Sequence, residues 1–103
     1  MANDWIKKKE SWVIETNAEE NGWFDPVDPP KGVWSAKDLT NLLGMDLKVI
    51  PLEGKWEGEV FIYQPSNTGH VNGLAMRLLR ESVGKSKTLR GKVLMTKGAL
   101  IRY

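Results

Sequence analysis

Glycine and proline punctuate this chain so closely that only short strands and two short helices fit between the breaks. Ten glycines and five prolines occur in 103 residues. Glycine enters turn conformations that other residues avoid, while proline fixes φ and removes a backbone donor. Residues 11–16, Ser-Trp-Val-Ile-Glu-Thr, are rich in β-branched and aromatic side chains and read as a strand. Residues 17–32 hold Asn21-Gly22, Pro26, Pro29 and Pro30, and read as a long loop.

The spacing then predicts a helix over residues 35–44. Ser35 caps its orphan N–H groups with Asp38 three residues on, Leu39, Leu42 and Leu43 share one face, and Gly44 is the stop. Residues 46–53 follow as a strand that Pro51 confines to an edge, because proline cannot donate to a ladder. Residues 59–64 form the strongest strand, and residues 65–69 a turn cluster. Asn72 caps a second helix running to about Val83, with Ala75, Leu78, Leu79 and Val83 as its apolar stripe. Arg77, Arg80 and Glu81 fall on the opposite side. A basic loop, residues 84–90, leads to a last strand at 92–96, which Leu100-Ile101 extends.

The order β-α-β-β-α-β predicts an α+β domain with a mostly antiparallel sheet and two helices, wired as in ferredoxin-like proteins. A polar arm, residues 1–10, precedes this single domain at 11–103. One core is expected to bury Leu39, Leu42, Leu43, Val49, Val60, Ile62, Leu78, Leu79 and Val93, with Phe61 and Tyr63 on the other face of their strand.

Composition narrows the chemistry. A hydrophobic fraction of 41% with 27% charged residues suits a globular domain. The absence of cysteine removes disulfides, thiolate metal sites and cysteine nucleophiles, and fits a reducing compartment. No segment approaches the ~20 apolar residues of a membrane span, and the N-terminus has no signal-peptide core, so a cytoplasmic protein without a membrane partner is expected.

His70, the sole histidine, has no visible nucleophile or orienting partner and reads as a turn residue. Gly84-Lys85-Ser86 imitates a phosphate-binding loop, but Leu79 stands where that motif needs glycine, and the segment follows a helix rather than a strand. Glu19, Glu20, Asp25 and Asp28 lack a calcium-loop pattern and read as solvated acids. No metal site and no cofactor are expected.

Two features remain. Trp23 with Phe24 lies in the proline-rich loop, either capping the end of the core or forming an aromatic partner-binding site. Residues 71–103 hold eight basic residues and one acid, Glu81, against seven basic and twelve acidic in residues 1–70. Arg77, Arg80, Lys85, Lys87, Arg90 and Lys92 therefore make a candidate surface for a nucleic acid or an acidic partner. The alternative is that the two halves neutralise each other internally.

The chain also resembles the DUF3846-like family of uncharacterised phage and mobile-element domains. The resemblance spans roughly residues 11–101. It rests on residues 34–44 leading into 47–52, on 58–63, on Val71-Asn-Gly-Leu-Ala75 and on 89–95. Gly44-Met45 and Gln64-Pro65 stand where that family shows a paired glycine and an Asn-Glu step. The resemblance implies a phage-type accessory protein working in the host cytoplasm, with no catalytic residues assigned. The reading is then a small non-enzymatic binding module that engages a host protein or nucleic acid. The first alternative is a direct nucleic-acid binder using the basic C-terminal third, and the second a small enzyme of unknown class.

Overall fold

The computed structural model describes residues 10–17 and 22–102. The N-terminal arm, except Glu10, and the acids Glu19 and Glu20 lie outside the described residues. The chain runs β1 (Ser11–Glu15), β2 (Trp23–Pro26), β3 (Trp34–Ser35), α1 (Ala36–Leu43), β4 (Lys48–Pro51), β5 (Glu59–Tyr63), α2 (Gly73–Val83), β6 (Val93–Lys97) and β7 (Ile101–Arg102). Five strands form one antiparallel sheet in the order β2-β1-β6-β5-β4, and β3 pairs in parallel with β7 beside it.

The helix caps follow the residues that predict them. The Ser35 hydroxyl accepts from the Asp38 backbone at 3.1 Å, and the Asp38 carboxylate accepts from the Ser35 backbone at 3.2 Å. Both bonds satisfy donors that a helix start leaves orphaned. The class is thus α+β, but the wiring is not ferredoxin-like. That arrangement needs each helix to join parallel strands separated by a third. Here α2 joins β5 to β6, which are antiparallel neighbours in register, with Phe61 opposite Met95. Strand β6 lies between β1 and β5 because its pairing with β1, Ile14 opposite Val93, takes the place a split unit would leave for β5.

Strand alternation makes two cores rather than one. Adjacent residues of a strand point to opposite faces. Ile14, Phe61, Tyr63, Val93 and Met95 face α2 and pack with Ala75, Leu78, Leu79 and Leu89. Val13, Ile62 and Leu94 face the other way and pack with Trp34, Leu39 and Leu43. The nine residues expected in a single core are therefore divided by the sheet. Val49 is exposed instead, with 40% of its surface open to solvent. It sits on the outermost strand, on the face where the α1 core reaches only as far as Ile62 and Val60 of β5.

The long loop expected over residues 17–32 contains β2, which pairs with β1 from Trp12–Pro26 to Glu15–Trp23. Its sequence alternates no polarity because all four residues are exposed. Ladder bonds to β1, not burial, hold it, and periodicity cannot report that. Leu100 does not extend β6; a turn at Gly98–Leu100 redirects the chain so that β7 meets β3. Pro26 and Pro51 each sit on an edge strand, where a missing donor is tolerated and discourages further pairing.

Glu59 is a carboxylate placed where burial disfavours its charge. One of its carboxylate oxygens is buried without a partner, as is the Trp56 indole N–H. Burial raises its pKa, the facing Lys97 opposes this, and Glu10 adds to it. The folded state holds this proton more tightly than the unfolded chain. The stabilising contribution is therefore complete below the unfolded carboxylate value and is lost as pH rises through the folded one. Glu59→Gln removes that loss. We expect the variant to be more stable than the parent at neutral pH and to lose this advantage below about pH 4, as read by urea melts across pH. An advantage that persists unchanged in acid would show that Glu59 is not the cause.

Candidate functional site

The face formed by α2 and the segment after it is built around Asn72. This side chain is fully buried. It caps α2 by accepting from the Ala75 backbone at 3.1 Å. Its amide donates to the Ile14 carbonyl at 2.8 Å and to the Gly91 carbonyl at 2.9 Å. Its own backbone N–H donates to Leu89 at 2.8 Å, and Gly91 donates to His70 at 2.9 Å. One residue thus joins β1, the start of α2 and the approach to β6. The fit explains Gly22, whose φ is +147° and whose added Cβ would lie 2.8 Å from the Asn72 side-chain oxygen.

At its other end α2 stops at Gly84, in the left-handed conformation with its N–H on the Arg80 carbonyl. The chain then folds back, and Leu89 is buried in the α2 core. Because residues 70–72 and 89–91 are bonded together, residues 85–88 are held alongside α2.

All six predicted cations are exposed. Arg77, Arg80 and Lys87 line one cleft of about 270 Å³, together with Val71, Met76 and Ser86. Lys85 and Lys87 border a second, of about 370 Å³, with Ile50, Tyr63, Leu79 and Val83. Arg90 reaches a third, of about 250 Å³, and donates to the Gly69 carbonyl at 3.3 Å. Lys92 is exposed next to β6. The Lys87 ammonium lies 5.8 Å from the Tyr63 ring centre, a cation–π distance.

Among the described residues none of these six pairs with a carboxylate; the ion pair found is Lys97 with Glu10, at 3.2 Å. Internal neutralisation by the described acids therefore does not account for this basic face. Arg77 and Arg80 are neighbours on one helix face, and like charges held together favour an anionic complement.

Trp23 and Phe24 are 39% and 38% exposed. They are consecutive in β2, opposite Glu15 and Ile14, and so point to opposite faces of the edge strand. The structure does not bring them into one patch. His70 is exposed, with its carbonyl taken by Gly91. Among the described residues no three or more His, Asp or Glu side chains come together for a metal ion. No helix among them is long and apolar enough to cross a membrane.

Sequence reasoning missed Ser86, Val71 and Met76 as walls of the cationic cleft, and Ile50 and Tyr63 as walls of its neighbour. Leu79 and Val83 were legible only as a core stripe. Comparison with known proteins gives no match to a family model, a curated protein or a solved structure.

Replacing Asn72 with Ala removes one buried and one part-buried bond to carbonyls, and the buried bond that caps the start of α2. We expect a cost of about 3 kcal/mol in a urea melt. The Gly91 amide should also exchange hydrogen faster relative to the amides of β5 and β6.

Proposed function

We propose that this chain is a small non-enzymatic binding module that holds a nucleic acid by its phosphate backbone, on the face of α2 and residues 84–92. The observation that carries this reading is the convergence of Arg77, Arg80 and Lys87 on one cleft with no carboxylate partner among the described residues. Phosphates relieve the repulsion between such cations, and each one neutralised releases a counterion. Ser86 adds a hydroxyl to the same cleft, a further donor to a phosphate oxygen. Lys85, Arg90 and Lys92 extend the basic surface beyond it, which suits a polymer more than a single small anion. In this reading the chain acts as a phage-type accessory protein in the host cytoplasm, as the DUF3846-like resemblance implies.

An acidic host protein is the second reading. It is favoured by Trp23 and Phe24, exposed aromatic side chains of the kind that anchor protein interfaces.

Binding of labelled oligonucleotides, followed by anisotropy against salt, separates the two. For a nucleic acid, log affinity falls linearly with log salt. The double variant Arg77→Glu, Arg80→Glu should weaken binding for all sequences alike and flatten the slope by about one for each phosphate no longer neutralised. Absence of oligonucleotide binding at low salt, with nuclease-resistant capture of an acidic protein, would decide for the second reading.

A further inference from the structure

The cationic cleft and its neighbour share a wall. Ser86 and Lys87 border both. On one side of that wall stand the Arg77 and Arg80 guanidinium groups. On the other, Ile50, Tyr63, Leu79 and Val83 give an apolar lining, with Lys85 as its further charged residue. Leu79 and Tyr63 are buried, so they form its floor, while Ile50 and Val83 are half-buried and form its sides.

A ligand that fills both clefts must carry an anionic group and, a short link away, a flat apolar one. Duplex nucleic acid offers only the first. Its bases are stacked and paired inward, and its accessible surface is phosphate, sugar and groove edge. A duplex would occupy the cationic cleft and leave the apolar one to water. An unpaired nucleotide offers both, because its base is free to leave the stack and lie against apolar side chains.

We propose that the two clefts form one site for an unpaired nucleotide of a single-stranded nucleic acid. Its phosphate lies among Arg77, Arg80 and Lys87, and its base lies on the Leu79–Tyr63 floor between Ile50 and Val83. The proposal rests on the nucleic-acid reading above and adds selection of single strands to it. Lys87 borders both halves; its ammonium, which lies over the Tyr63 ring in the free chain, turns to the phosphate as the base takes that place. Transfer of the base displaces water from apolar walls, a gain that charge neutralisation does not provide. Contact through a π-face is open to every base, so the preference is for single strands rather than for a sequence.

Three labelled probes of equal length test this with the full chain in an anisotropy titration at fixed low salt: an oligothymidylate, the same strand with every base removed, and a blunt duplex. The oligothymidylate should bind roughly tenfold tighter than either other probe. Ile50→Asn, shown by urea melt to remain folded, should abolish the difference between the first two probes without changing affinity for the baseless strand. If the baseless strand or the duplex binds as tightly as the oligothymidylate, with a steep salt dependence, the site reads charge alone; this inference falls and the nucleic-acid reading stands. If no probe binds, both fall.

Discussion

The candidate face depends on one buried amide. Asn72 satisfies a helix start, the end of β1 and the run before β6 with a single side chain, through bonds of 2.8 to 3.1 Å. The side chain is fully buried, so water competes little for its amide, and an unmade bond there is costly. Without it, residues 84–92 would keep Leu89 and the backbone bonds of residues 70–72 with 89–91 as their anchors to α2, but would lose the tie to β1.

The two faces of the sheet are organised by different means. On the α1 side the cap is local, the capping box of Ser35 and Asp38. The polar groups buried beneath it satisfy each other: the Ser11 and Thr96 hydroxyls are 2.6 Å apart, and the Trp34 indole donates to Ser11 at 3.2 Å. On the α2 side the capping side chain also bonds far along the chain, to Ile14 and Gly91, and cations crowd its solvent surface without carboxylate partners among the described residues.

Much of the fold was legible because the relevant physics is local. Ser35, Asp38 and Gly44 bound α1, Asn72 starts α2, and Pro51 marks an edge strand, each through groups a few residues apart. β2, β3 and β7 were not legible. β2 has no buried face, and β3 and β7 are two residues each, held by a pairing across much of the chain. The candidate site was legible in half. The cations could be named from Arg77 to Lys92, since helical spacing puts Arg77 beside Arg80. Their lack of carboxylate partners and their clefts could not.

The sequence by itself determined both helices and their N-terminal caps, the strands β1, β4, β5 and β6, the alternation of β5 and the concentration of positive charge after residue 70. These rest on backbone propensity, short-range bonding and composition, all written in neighbouring residues. Only the tertiary structure decided that the sheet would divide the apolar residues between two cores, and that β6 would lie between β1 and β5. It alone folded Lys87 back against Arg77 and Arg80, and opened a second, apolar cleft over Leu79 and Tyr63. Those outcomes turn on strand pairing and on the bonds of Asn72, which join residues 14, 72 and 91. Contacts between positions so far apart leave no periodic trace in the chain.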